Sequence, residues 1–409
     1  MKKLLVIGII IILVGMSIPS TGINVEKSSA SYDGNTLYVG GSGPGNYTSI
    51  HQAVNNSQNG DTIFVYNGTY YDNVKISKSI NVIGEDKDNT HVLSKQQNPS
   101  STVFELSYSN IQIKGFTAMK GLAGIHILGD IEGINKNILI SDCNLINNYI
   151  DYGGLAIRVG YTNNITIENC YFQNEGVGIR IGGYKHTNIT ISNCFFDSDT
   201  LTIQDVKYMF FNDCVFYDSR ITAWEWSDNL EFYNCTMDKE DDSYVQIYGS
   251  HQIFENCVFS NCSYAAINLD YSEDALIRNC VFKDGKNESQ GISLDGPNAL
   301  IEGCIIKDMN LGIYYWRGEN LTVRNCHFEN NQIAFYNFNE LCTHNRFLNN
   351  NFINNQKDFY NSAWIFINIY NHNYWDKWLG WGPYRVLKTI SLMGWLNWDF
   401  FPSKEPYDI

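Results

Sequence analysis

Nine cysteines occupy the same slot of a repeating phrase, at Cys143, Cys170, Cys194, Cys214, Cys235, Cys257, Cys280, Cys304 and Cys326. Their separations are 27, 24, 20, 21, 22, 23, 24 and 22 residues, with a mean of 22.9. The surrounding phrase recurs as NITIENCYF at 164–172, NITISNCFF at 188–196, NLEFYNCTM at 229–237, ALIRNCVF at 275–282, ALIEGCII at 299–306 and NLTVRNCHF at 320–328. Between cysteine slots lies a second apolar-polar-apolar piece: LAIRV (155–159), GIRI (178–181), AINL (266–269), GISL (291–294) and GIYY (312–315). A period of this length marks stacked coils, because one repeat alone cannot bury its apolar face. Each period holds at least two short strands rich in Ile and Val, bounded by Gly, Asn and Asp turns.

Two solenoids fit such a period. The fragment I-x-I-x-x-C-x-F matches the leucine-rich pattern L-x-L-x-x-N/C-x-L. That fold needs a helical return segment with its own spaced leucines, whereas the return segments here read as strand and turn, as in Gly178-Ile179-Arg180-Ile181-Gly182-Gly183. A parallel β-helix accounts for every part of the period. The expected fold is therefore all-β, one single-stranded parallel β-helix (a solenoid) of about 11–13 coils. The cysteines then form an inward-facing ladder, since Cys packs as a small hydrophobe. The chain's total of 11 Cys is odd, and mostly free, buried thiols are expected. Asn precedes Cys in six of the nine slots, which predicts an Asn stack at a turn with amides bonded rung to rung.

The address is read from the first residues. Met1-Lys2-Lys3 precedes an apolar run from Leu4 to Ile18, the pattern of a secretory signal and short for a membrane span. Residues 1–22 are expected to be a signal peptide or an uncleaved N-terminal anchor, because Pro19-Ser20-Thr21-Gly22 lacks a clean A-x-A site. An anchor of that kind is the one membrane attachment expected, and the remainder is placed outside the cytoplasm, secreted or on the cell surface. Nine N-x-S/T sequons, at Asn46, Asn55, Asn67, Asn164, Asn188, Asn234, Asn261, Asn287 and Asn320, are compatible with exposure there. With 28 Lys+Arg against 43 Asp+Glu the formal charge is −15, which argues against nucleic acid as a partner.

The segment at 37–86, LYVGGSGPGNYTSIHQAVNNSQNGDTIFVYNGTYYDNVKISKSINVIGED, resembles the entry coil of right-handed parallel β-helix proteins of the pectin-lyase-like type. In those proteins a G-x-Y-x-x-I-x-x-A-V helix caps the barrel and G-D-T-I-x-V-x-x-G-T-Y lays down the first strands. Local chemistry agrees, with Ser49 and Gln52 spaced as a capping box. The tail NYWDKWLGWGPYRV…GWLNWDFFPSKEPYDI at 373–409 is similar to the aromatic C-terminal cap of NosD-type archaeal surface proteins. The resemblance implies a right-handed helix over 35–360, an N-terminal capping helix and an aromatic cap over 361–409. The fold hosts lyases, hydrolases, epimerases and adhesins, so it implies no single activity. The copper label of the NosD family does not carry over. The eight histidines (His51, His91, His126, His186, His251, His327, His344, His372) are scattered, and a soft-metal site needs clustered donors. No metal or other cofactor is expected, except Ca²⁺ in the version described below.

Outward residues of the second strand line up in two files on one face. One runs Arg158, Arg180, Thr202, Thr222, Gln246, Asn268, Ser293, Tyr314, Tyr336; the other runs Gly160, Gly182, Gln204, Trp224, Tyr248, Asp270, Asp295, Trp316, Phe338. The expected substrate-binding residues are Trp224, Tyr248, Asp270, Asp295, Tyr314 and Trp316, with Glu225, Trp226 and Asp228 in or beside the adjoining turn. Aromatic platforms flanked by carboxylates suit sugar rings, which stack through their C–H faces while their hydroxyls take directed bonds. The expected function is a secreted or surface β-helix protein that binds glycan, or builds a surface layer, without turnover; the bland counterpart is aromatics covering the sheet. The enzymatic alternative is a polysaccharide lyase, hydrolase or epimerase with Asp270 and Asp295 as catalytic carboxylates about 5 Å apart, near retaining-glycosidase spacing, or holding Ca²⁺ against a uronate. The polygalacturonase set (N-T-D, D-D, G-H-G, R-I-K) and the D-P-H-E signature of alginate epimerases are both missing.

Overall fold

A computed structural model describes residues 34–95, 101–128, 135–148, 155–160, 162–173, 176–182, 186–224, 227–238, 245–339, 342–361, 368–386 and 398–409. The expected signal or anchor at 1–22, Glu225 and Trp226 beside the aromatic file, and parts of the 361–409 tail lie outside these residues. The rest is a β-solenoid of about 13 turns. Three parallel sheets run its length, of 15, 13 and 14 strands, with successive coils supplying successive strands of each sheet. Parallel sheets covered on one side by the other two explain why the inward positions are almost uniformly apolar, with Ile, Val, Phe and Cys fully buried.

Three corners per coil require the chain to turn sharply, and many of them use a residue in the left-handed region. At the cysteine corner these are Asp142, Asn169, Asn193, Asp213, Asn234, Asn256, Asn279 and Asn325, with φ between 50° and 57°. Asn and Asp tolerate that conformation better than other non-glycine residues. The residue before each Cys of the ladder (Asn in six slots, Asp in two and Gly303 in one) is thus selected by backbone geometry. The expected amide stack there is realised in part: Asn234 donates to Asp213 (3.2 Å) and Asn256 to Asn234 (3.4 Å). A longer amide ladder sits at a different corner, Asn137 to Asn110, Asn164 to Asn137 and Asn188 to Asn164.

All eleven cysteines are free and buried. Each ladder thiol donates back to the carbonyl two residues earlier, as Cys257 does to Glu255 at 3.4 Å. Burial pushes the Cys170 and Cys235 thiols well up, so they stay neutral. Beside the cysteines the phenylalanines stack: Phe211–Phe232 and Phe232–Phe254 have centroids 4.5 and 4.7 Å apart, nearly parallel. Those spacings equal the ~4.8 Å rise from strand to strand, so the repeat itself sets ring stacking.

A short helix, Ile50–Asn56, turns Ile50, Ala53 and Val54 inward. Ser49 is its N-cap, accepting from the Gln52 N–H. Asp72 ties this N-terminus down, accepting from the Ser49 hydroxyl at 2.6 Å and the His51 N–H at 3.0 Å, with Lys95 at 3.2 Å. At the other end the cysteine slot passes to Asn350 and then Asn373, whose donors meet the Asp399 carboxylate. Asp399 is fully buried and accepts from the Asn373 backbone and side chain and from the Trp375 indole. Trp375 stacks on Phe352 (4.4 Å) and on Tyr384 (4.7 Å). Among the described residues no helix is long and apolar enough to cross a membrane.

Candidate functional site

The 13-stranded sheet presents the first outward file in register. Arg158 pairs with Arg180, Arg180 with Thr202, Thr202 with Thr222, Thr222 with Gln246, Gln246 with Asn268, Asn268 with Ser293, Ser293 with Tyr314, and Tyr314 with Tyr336. Tyr360 continues it. One face therefore carries two guanidinium rungs, then hydroxyl and amide rungs, then three tyrosine rungs. Its second file includes Gln204 opposite Trp224 and Tyr248 opposite Asp270.

Asp270, Asp295, Tyr314 and Trp316 come together around one cleft of about 270 Å³, joined by Tyr264, Asn268, Gln290 and Ser293. Trp224 and Tyr248 are not among its walls. They stack on each other two rungs and one rung toward the N-terminus of Asp270, with centroids 4.8 Å apart and planes 16° apart. On the C-terminal side Trp316 stacks on Phe338 at 4.2 Å and Tyr314 on Tyr336 at 5.3 Å. Trp224 and Trp316 are each 41% exposed, so two aromatic platforms flank the cleft. Burial and the neighbouring Tyr336 push the Tyr314 hydroxyl up to about 12, and it stays a donor at neutral pH.

The carboxylates are engaged. Asp270 Oδ2 accepts from the Gln246 amide at 2.9 Å and the Asn268 amide at 3.1 Å. The Gln246 amide also donates to the Tyr248 hydroxyl at 2.8 Å, coupling a ring to the acid. Asp295 Oδ1 accepts from Arg317 Nε at 2.6 Å, and the Arg317 guanidinium lies 4.7 Å above the Tyr271 ring. The bond to Asp295 holds the Arg317 guanidinium even more firmly protonated.

Arg317 corrects the expected alignment. Asp295 was placed opposite Trp316; a bulge between Leu294 and Asp295 puts it opposite Arg317 and leaves Trp316 as the extra residue. The cause is the glycine that follows. A Cβ at Gly318 would lie 2.2 Å from the Gly296 carbonyl oxygen, and one at Gly296 would lie 2.0 Å from that of Ser272. Only glycine permits this approach, so the turns fix Asp295-Gly296 over Arg317-Gly318. The signal was in the sequence, as D-G and R-G 22 residues apart. Tyr271 was missed because it sits in the turn after Asp270 at φ 53°, outside the alternating pattern.

Among the described residues no group of three or more His, Cys, Asp or Glu is placed to hold a metal ion. A larger polar depression of about 700 Å³ lies at the corner where Gly285, Asp308, Asn310, Asn330 and Asn354 meet; none of the expected site residues lines it.

Residues 243–374 match the family model described as right handed beta helix region. No curated protein matches the sequence. Among solved structures, the surface adhesin PfbA of Streptococcus pneumoniae is similar at 14% identity and a TM-score of 0.53, over 76% of this chain and 89% of that one. The A-module of the mannuronan C-5 epimerase AlgE4 of Azotobacter vinelandii aligns at 10% identity and 0.47, over 73% and 88%. The family 28 exopolygalacturonase of Yersinia enterocolitica aligns at 11% and 0.45, over 78% and 74%. At these identities the likeness is one of fold. Repeat, three-sheet coil and family match agree on the fold: the chain is a right-handed parallel β-helix.

Proposed function

We propose that this protein binds a polysaccharide along the outer face of the 13-stranded sheet, at or beyond the cell surface, and holds it without turnover. One observation carries the reading: stacked, solvent-facing rings (Trp224 on Tyr248, Trp316 on Phe338) stand on either side of a cleft walled by Asp270, Asp295, Asn268 and Ser293. Rings offer faces to sugar C–H groups, and the amides and carboxylates between them offer directed bonds to hydroxyls. The rungs rise ~4.8 Å each, comparable with one pyranose unit, so a glycan lying along the axis meets a new rung with each sugar. The extracellular address rests on the apolar run at 4–18. The helix at Ile50–Asn56 and the aromatic C-terminal segment serve, on this reading, as caps that keep the open coils from associating end to end.

Non-catalytic binding is favoured because both carboxylates already carry strong partners, Arg317 on Asp295 and two amides on Asp270. The enzymatic reading keeps one supporting observation, that the two acids share a single cleft. Retention on immobilised cell-envelope polysaccharide separates the readings. The native protein is retained, Trp224→Ala with Trp316→Ala is not, and no reducing ends or unsaturated products accumulate. Product that disappears in Asp295→Asn would instead assign the cleft to catalysis. Retention that survives in the tryptophan double variant removes this face from the account. If calcium bridges Asp270 or Asp295 to a uronate, chelator abolishes retention and added Ca²⁺ restores it.

A further inference from the structure

We propose that Arg158 and Arg180 form an anion subsite, and that the polysaccharide carried by this face is an acidic one whose sugar carboxylates lie over these two rungs. The proposal rests on the glycan-binding reading above and specifies its ligand.

The two arginines are direct cross-strand partners and both side chains are exposed. Like charges placed directly opposite on a sheet destabilise it, in a chain that carries 43 Asp+Glu against 28 Lys+Arg. Several of its other strand cations find carboxylates: Lys75 meets Glu105 at 3.3 Å, Arg278 meets Glu302 at 3.3 Å, and Arg324 meets Glu302 at 2.8 Å. Among the described residues neither Arg158 nor Arg180 has an ion-pair partner. The rung before them offers no acid either, since His126 pairs with Arg158. Burial, then Arg158, then weakly opposed by Glu105, lowers the His126 pKa, so that rung adds no second charge at neutral pH. Toward the C-terminus the next partners are Thr202 and Thr222, neutral hydroxyls.

Among the described residues, space is left beside the guanidinium groups. The second file has side chains at Gln204, Trp224, Tyr248 and Asp270, but at the two arginine rungs it has Gly160 and Gly182. Among the described residues a Cβ at Gly182 would meet nothing nearer than Gln204 Oε1 at 3.9 Å. A planar carboxylate fits such a notch, where it accepts bidentately from two guanidinium forks. From Arg180 the first exposed ring, Trp224, is two rungs on, or ~10 Å. A short oligosaccharide therefore reaches from the charged rungs to the first aromatic platform.

The test titrates the folded chain with an oligouronate and with a neutral β-glucan oligomer of equal length, at two salt concentrations, with duplex DNA as a third arm. The native protein should bind the oligouronate more tightly, and added salt should weaken that binding alone. Arg158→Gln with Arg180→Gln should cost about tenfold or more in oligouronate affinity, the scale of a charge-assisted bond. The same pair should leave neutral-glucan affinity unchanged and should not lower the melting temperature, since it removes two opposed like charges, and Arg158→Lys with Arg180→Lys should recover part of the loss. Oligouronate affinity that is unmoved in the Gln pair overturns the subsite, as does an equal loss for both glycans. Tighter binding of DNA than of oligouronate, lost in the Gln pair, overturns it in favour of a phosphate ligand. A native protein that binds neither glycan contradicts the glycan reading itself, which is a separate outcome from a native protein that binds both alike.

Discussion

Asp295 shows what a single residue contributes and why its partner was hidden. Period-2 alternation placed it on the correct face, and the repeat length placed it beside Asp270. Alternation alone could not reveal that Gly296 and Gly318 pull the following turn tight, shifting the register by one and delivering Arg317 in place of Trp316. The resulting pair is half exposed, with 41% of the Arg317 side chain accessible, so its worth to stability is small, about 0–1 kcal/mol. Arg317→Met should leave the melting temperature almost unchanged and yet weaken glycan retention, because Asp295 loses the bond that fixes its orientation. A large loss of stability with retention intact would mean the pair serves the fold and not the face.

At the scale of single strands and turns, the sequence was most legible where one side chain repeats. The cysteine slot announced a buried line, and the eleven thiols are buried. Native protein should therefore resist alkylation at all eleven and react fully once denatured; rapid labelling of the native state would contradict the ladder. The phenylalanine columns were less legible, because they alternate between two sheets. Phe232 stacks on Phe211 and Phe254, so Phe232→Ala should cost about 3–5 kcal/mol in denaturant unfolding. Asp72 was not legible at all. Its ties to Ser49, His51 and Lys95 come from a turn 21 or more residues away from the helix. Burial would raise its pKa, but the His51 N–H, the Ser49 hydroxyl and Lys95 outweigh burial and hold it below the ordinary carboxylate value. A depressed folded pKa means stability that is complete above the unfolded pKa, near 3.9, and lost as pH falls through the folded value. Asp72→Asn should thus destabilise by about 1–3 kcal/mol at pH 7, with the deficit fading at pH 3 and below. A deficit independent of pH would show that shape, not charge, matters there.

Across the whole molecule the coil number followed from periodicity, whereas the period shows only that each coil has at least two strands, and the third sheet is seen in the structure. The first outward file, from guanidinium through amide to tyrosine, is legible in the alternation, and the strands hold it in that order. Asp399, which accepts from Asn373 beyond the last coil, comes from a strand of two residues that no pattern announces. The proposed C-terminal cap depends on it: Asp399→Leu leaves the Asn373 and Trp375 donors buried and unpaired, a loss of about 1–3 kcal/mol for each group, and should promote end-to-end association seen by light scattering. The central claim concerns the face, and calorimetric titration of glycan oligomers into native protein and into Trp224→Ala with Trp316→Ala tests it most directly. The account predicts saturable binding by the native chain, reduced at least about tenfold in the double variant, the scale of ring contacts at a binding surface. Equal affinity for the two proteins, with both equally folded, would contradict it.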